Sequence, residues 1–374
     1  MNLSYWEQET WLRHIDFAII GSGIVGLSCA LSLRKKHPKG KIVVFERGML
    51  PSGASTKNAG FACFGSASEL LDDLKHHTEE EVVSLVQNRI NGLRLLRENL
   101  GDDALDYQEL GGYELFRNAD SALFDECNEK IPYLNNLLKE TFSGKKEVFS
   151  VKNDPFSFQN VQNSLIFNQF EGQLDTGKMM RALLQKCVRN DILILNNTEV
   201  SSFNSEKDSV SLLLNTSIEV STKELFIATN GFARQLLEEP VAPARAQVLI
   251  TEPIPGLHIK GTFHLEKGYY YFRNIHNRIL FGGGRNLDFE GETTTQMETT
   301  QRIQNELEAL LRTTILPNLT FKISSRWSGI MGVGTQKKPI VKELEPHVYC
   351  GVRLGGMGVA LGSSIGEQLS SFTN

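Results

Sequence analysis

Residues 16–20, DFAII, form a short apolar run that stops at Gly21, the pattern of a buried parallel strand. The period then changes. In IVGLSCALSLRKK (24–36), Ile24, Leu27 and Leu31 recur at roughly helical spacing with Ala and Ser between them. HPKG (37–40) breaks that helix, and KIVVFERG (41–48) predicts a second strand. Strand, helix and strand therefore follow one another at the start of the chain.

Residues 49–68, MLPSGASTKNAGFACFGSAS, are polar and glycine-laden and too long for a mere connector. From about 69 to 150 the text turns helical and charged, interrupted by QELGGYELFR (108–117), which predicts a strand with a glycine corner. Residues 171–200 predict a turn, a helix and another buried strand, and 211–232 add strands that end in a glycine turn. RAQVLITEP (245–253), GYYYFRN (268–274) and NRILFGGGRN (277–286) belong to a second region made mostly of sheet. A helix over 300–315 and the glycine-rich tail 347–372 close the chain, with no internal repeat. This alternation predicts an α/β fold: a Rossmann-type domain assembled from non-contiguous segments, with an inserted α+β domain carrying a mostly antiparallel sheet.

Bulk properties narrow the chemistry. The 374 residues suffice for two domains, and 40% hydrophobic with 22% charged residues is ordinary for a globular chain. A net charge of −5 without a basic tract argues against nucleic acid as a partner. The five cysteines are scattered, which fits free thiols in a reducing compartment better than a disulfide frame. With no CxxC and no HxxxH or HxH spacing, no metal site is expected. The N-terminus lacks the apolar core of a signal peptide and no stretch is long enough to span a membrane, so a cytoplasmic location is expected.

The first turn, IIGSGIVG (19–26), has glycines at 21, 23 and 26. Gly21 would make the tight strand-to-helix turn, Gly23 would let the backbone approach a pyrophosphate, and Gly26 would let helix and strand pack closely. Phosphates then sit at the helix N-terminus, where unpaired N–H groups and the helix dipole favour negative charge. Glu46, twenty residues beyond Gly26, ends the second strand where an acid can bind both ribose hydroxyls and disfavour a 2′-phosphate. A nicotinamide enzyme needs one such loop. Here GASTKNAG (53–60) adds Ser55, Thr56, Lys57 and Asn58 as donors with Gly60 for close approach, and GVRLGGMGVALGSSIGEQL (351–369) opens another helix. Several such loops point to a flavin dinucleotide lying across a domain rather than to NAD.

DFAIIGSGIVGLSCALSL, FERG, GASTKNAG, GQLDTGKMMRALL, LFIATNGFARQL, PARAQVLITEP, YYYFRN, RILFGGGRN, RWSGIMG and GGMGVALGSSIGEQL occur in series along nearly the whole chain. With them the sequence resembles the D-amino-acid oxidase-like FAD oxidoreductases, which include glycine oxidase, sarcosine oxidase and gamma-glutamylputrescine oxidase. The resemblance implies an FAD-binding domain at 1–75, 155–232 and 322–374, and a substrate domain at 76–154 and 233–321. It implies that FAD is held by Gly21, Gly23, Gly26, Glu46, Arg47, the loop Ser55, Thr56, Lys57, Asn58 and Gly60, and by Gly355, Gly356, Met357, Gly358 and Val359. Val200 would meet the adenine. It further implies oxidation of a C–N bond of an amino acid or related amine by hydride transfer to flavin N5, with hydrolysis of the imine and O2 or a quinone or other electron carrier as acceptor.

Several positions depart from the family pattern. Gly329 stands about where sarcosine oxidase attaches its flavin, so non-covalent FAD is expected. Met331, Ala360 and Leu280 replace a carboxylate-binding arginine, a lysine near the last helix and an oxygen-activating lysine. Arg353 stands where a glycine is usual, a charge in a cofactor loop that either clamps a substrate carboxylate or pairs structurally. Arg273, Arg285 and Tyr271, the last sharing a strand face with Tyr269, are the other substrate-side candidates. Two further readings stay open: a 2-hydroxy acid dehydrogenase with the same hydride geometry, and a flavoprotein acting in tRNA modification.

Overall fold

A computed structural model describes residues 3–144 and 147–373. β1 (Ile15–Ile20), α1 (Ile24–Lys36) and β2 (Ile42–Phe45) form the expected opening unit. β1 is central in a mixed sheet, parallel to β2 on one side and to Ile218–Ile227 on the other. Leu193–Leu195 extends the sheet beyond β2, and Val348–Val352 extends it beyond Ile218–Ile227, both in parallel. Ile340–Glu345 closes that edge antiparallel.

The ten-residue strand Ile218–Ile227 serves two pairings. Residues 222–227 line up with β1, while 218–222 pair antiparallel with Val210–Leu214, which in turn pairs with Val200–Ser205. One face of the sheet is covered by α1, Thr176–Arg189 and Gly358–Ser370, with Glu79–Leu100 packed on the last of these, and their apolar stripes merge into the largest core. Because α1 lies between the sheet and Gly358–Ser370, it is buried nearly all round and shows little helical amphipathicity.

The second sheet runs in the order Ile323–Val333, Ala242–Thr251, Arg278–Gly283, Tyr270–Ile275, Thr262–Leu265, Gly112–Leu115, Ser164–Asn168 and Phe149–Asn153. Only the pairing of Thr262–Leu265 with Gly112–Leu115 is parallel. Its outer face, with Leu249, Phe263, Phe272 and Phe281, packs on Ile303, Leu307 and Leu311 of the helical segment Gln301–Ile315. The mixed α/β core and the mostly antiparallel second sheet match the fold expected from sequence. Two strands, however, lie outside the segments expected to hold them. Ser164–Asn168 and Ile323–Val333, expected among the nucleotide-binding segments, belong to the second sheet. Ile323–Val333 pairs with Ala242–Thr251 and Ser164–Asn168 lies between Gly112–Leu115 and Phe149–Asn153, and local patterning does not say which sheet a strand joins. Among the described residues no helix is long and apolar enough to cross a membrane.

Candidate functional site

A cleft opens at the carboxyl ends of the parallel strands, where α/β sheets bind ligands. Gly21, Gly23, Glu46, Arg47, Ser55 and Val200 line it. Gly21 takes φ +102°, and a Cβ on Gly26 would lie 1.9 Å from the Gly21 carbonyl oxygen, so the turn and helix meet at glycine-only distance. Gly23 caps α1 without a side-chain bond, leaving the helix start to the Ser55 hydroxyl, which accepts from the Ile24 N–H at 3.0 Å.

Glu46 is buried and hydrogen-bonded through both carboxylate oxygens. Its Oε2 accepts from the Ser22 N–H (3.2 Å) and Ser22 Oγ (2.7 Å), and its Oε1 from the Gly48 N–H and Ser52 Oγ (both 2.9 Å). These donors fix the carboxylate at the cleft floor. Arg47 lies 3.8 Å over the Phe232 ring and donates to Gln235 Oε1 at 3.2 Å, so its guanidinium is held at the cleft wall.

Beyond Ser55, the loop spends its polar groups on itself. The Thr56 hydroxyl donates to the carbonyls of Pro51 (2.7 Å) and Gly53 (3.1 Å). The Asn58 amide donates to Ala54 and Ser55 carbonyls, while its oxygen accepts from the Gly60 N–H and Thr176 Oγ1. Both residues, expected to offer donors to a cofactor, shape the loop that would receive it. The Lys57 carbonyl accepts from Trp327 Nε1 at 2.9 Å, which ties the loop to the second sheet.

Arg273 performs a similar stitch. Buried on its strand, it donates through Nε to the Ala59 carbonyl and through Nη2 to the Leu174 carbonyl at 2.9 Å. Burial pushes its guanidinium down to about 10, against the weaker pull of Asp175 and Asp106. Arg353 has a left-handed backbone (φ +64°), the conformation glycine favours, and its Nε and Nη2 grip the Lys338 carbonyl at 3.1 and 2.9 Å. Arg285 lies 5.1 Å over the Phe289 ring in the turn after Gly284, with its buried Nε unpartnered, and burial lowers its pKa.

The inner face of the second sheet carries one continuous cross-strand row: Glu114, His264, Tyr271, Gly282, Val248 and Trp327, each the register partner of the next. The row lies over residues 57–68. Trp327 bonds Lys57, Tyr271 and His264 both meet the Phe61 ring edge-on at 5.7 and 5.2 Å, and Glu114 accepts from Ser66 and Ser68. Gly282 gives the Tyr271 ring its room, since a Cβ there would lie 2.7 Å from it. Burial pushes the Tyr271 hydroxyl up to about 12, so it stays a neutral donor. Tyr270 points into the opposite core, as strand alternation requires, and Tyr269 sits 40% exposed against Phe289 in the preceding turn. Tyr271 is therefore the one tyrosine of the three on this wall.

Next to the row is a buried polar cluster. His264 Nε2 lies 3.3 Å from Glu171 Oε2, and Glu171 Oε1 accepts from the Phe64 N–H at 3.2 Å. Burial alone would lower the His264 pKa; the Glu171 bond and the charges of Glu171, Glu114 and Glu69 outweigh it and raise it. Cys63 Sγ lies 3.9 Å from Met357 Sδ in the second glycine loop, and burial, then Glu171 and Glu69, drive its thiol pKa up. None of Cys63, Glu171 or His264 stands out locally, because sequence spacing hides a cluster assembled from three elements.

The cleft fits a dinucleotide cofactor on its own geometry. The Thr229 hydroxyl, on the cleft wall, is buried without a partner, and a Cβ at Gly53, Gly355 or Gly358 would meet nothing within 4 Å. An acceptor for Thr229 and open backbone along two loops are what a long, polar, phosphate-bearing ligand uses. Thr229 was missed in sequence, where ATNG reads only as a turn.

Comparison with known proteins agrees with this geometry. The family model described as FAD dependent oxidoreductase, DAO, matches residues 16–371. The probable oxidoreductase OrdL of Haemophilus influenzae is 21% identical over 94% of this chain and 81% of its own length. L-proline dehydrogenase from P. horikoshii superposes with a TM-score of 0.74 at 18% identity, covering 96% of this chain and 92% of that one. Glycine oxidase from Geobacillus kaustophilus gives 0.74 at 17% identity, covering 96% and 95%. At these identities the two structures show a shared fold.

Proposed function

The chain belongs to the family of FAD-dependent oxidoreductases described as DAO, and from that premise we propose that it oxidises the carbon–nitrogen bond of an amino acid or related amine. The observation that carries this reading is the row from His264 through Tyr271 to Trp327, laid over the loop that leaves the cleft. It provides a second wall, aromatic and polar, facing the place where the cofactor's reactive ring would extend. The names of the structural relatives, glycine oxidase and L-proline dehydrogenase, support amino acids as the donor class.

In this reading FAD is held without a covalent bond. The α1 N-terminus with Gly21 and Gly23 would take the pyrophosphate, Glu46 the ribose in exchange for one of its present donors such as the Ser52 hydroxyl, and Val200 the adenine, with Arg47 and Ser55 beside the phosphates. Gly355, Gly356 and Gly358, at the start of the last helix, would border the flavin ring, where the helix dipole favours negative charge. When bound, FAD would supply the hydride acceptor for oxidation of the substrate carbon. The chain's own residues orient and enclose. Tyr271 offers a protonated hydroxyl from the wall, Phe61 and Trp327 exclude water, and Trp327, Arg273 and Asn58 hold the loop beneath in one geometry.

The test is anaerobic mixing of the yellow protein with D- and L-amino acids, N-methyl amino acids, polyamine derivatives and 2-hydroxy acids. Bleaching of the visible flavin band by a nitrogen donor is the expected outcome. A colourless protein, or bleaching by 2-hydroxy acids alone, would overturn the reading.

A further inference from the structure

We propose that Cys63, Glu171 and His264 form a buried binding site for a divalent cation of the zinc class. Their three donor atoms lie within 4.8 Å of one another, and all three residues are buried. Tetrahedral zinc with bonds of about 2.0–2.3 Å separates its ligands by roughly 3.3–3.8 Å. Closing this triad onto an ion therefore needs shifts of the donor atoms of about 1 Å or less.

The site is built rather than accidental. Gly112 makes room for the carboxylate, because a Cβ there would lie 1.9 Å from Glu171 Oε2. The Phe64 N–H orients Glu171 through its other oxygen, and Arg89 Nη1 anchors the Phe64 carbonyl at 2.6 Å. The Phe61 ring sets the edge of His264. Ligand orientation by such outer bonds is what metal sites require. Met357 Sδ, 3.9 Å from Cys63 Sγ, leaves the fourth position to a thioether or a water.

Charge also balances. Coordination sends the thiol proton and the imidazole proton to solvent, so one thiolate, one carboxylate and one neutral imidazole surround a divalent ion with no net charge left in the interior. One sulfur, one nitrogen and one oxygen suit zinc over magnesium or calcium, which take oxygen ligands. The inference is independent of the substrate proposed above.

The experiment is equilibrium dialysis of the FAD-loaded protein against chelator-buffered Zn2+ and, separately, Mg2+, with bound metal counted by elemental analysis. One equivalent of zinc per chain, at free concentrations on the order of micromolar or lower, is expected. Cys63→Ala and His264→Gln should each weaken uptake at least tenfold, while Cys127→Ala, another buried thiol outside the triad, should leave it unchanged. Retention of flavin colour and of the circular dichroism spectrum shows that a variant is folded. Zinc uptake by the folded Cys63→Ala protein equal to that of the native chain would overturn the proposal, as would equal uptake of Mg2+.

Discussion

Arg353 shows how much a single guanidinium can be asked to do. Two of its nitrogens hold the Lys338 carbonyl, and its backbone is left-handed. Alanine tolerates that backbone no better than arginine, so Arg353→Ala reports the lost bonds and little else. Charge-assisted bonds of this kind contribute about 1.5–3 kcal/mol, and we expect a fall in thermal stability of that order with donor KM changed less than twofold. A large rise in KM at unchanged stability would make Arg353 the substrate clamp instead. Glu114 carries a pH prediction. Burial raises its pKa, although the Ser68 and Ser66 bonds pull the other way. A carboxyl with a raised folded pKa contributes stability below its unfolded value of about 4.3 and loses it as pH climbs through the folded one. The melting-temperature difference between the native chain and Glu114→Gln should therefore be most favourable to the native chain at acid pH and shrink towards pH 8. A difference that grows with pH refutes it.

At the level of elements, the strand Ile323–Val333 couples the two sheets. It pairs along its whole length with Ala242–Thr251 and sends Trp327 Nε1 to the Lys57 carbonyl. That bond fixes the short helix Ala54–Lys57, whose Ser55 accepts from the start of α1. Trp327→Phe keeps the ring and removes the donor, a net loss of about 0.5–1.5 kcal/mol. Hydrogen exchange in residues 54–64 should speed up and FAD should dissociate faster. Unchanged exchange in that segment would show that the sheet does not restrain the loop.

For the whole molecule, cofactor and fold are linked. If FAD sits in the cleft formed by segments as distant as Gly21, Val200 and Ile330, as proposed above, it binds the native chain and not the unfolded one. Free FAD at about a hundred times its dissociation constant should then stabilise the protein by about 2.7 kcal/mol. The melting temperature of stripped protein should rise steadily with added FAD; a midpoint indifferent to FAD would place the cofactor elsewhere.

The opening turn was legible because its logic is local. A strand, three glycines, a helix and an acid at residue 46 carry their geometry in their spacing, and α1 spans the residues that the pattern indicated. The two-sheet architecture was legible for the same reason, since each element announces its own period. What the chain did not announce was company. Whether Ile323–Val333 joins one sheet or the other depends on a partner far along the chain, and so does the use of each polar side chain. Asn58 and Arg273 look like ligands for a cofactor or substrate until the structure shows their donors taken by backbone carbonyls. Cys63, Glu171 and His264 look like nothing until three elements bring them together. Sequence determined the places where backbone geometry is special; tertiary structure alone decided which buried polar groups meet, because a hydrogen bond needs a partner and the partner is non-local.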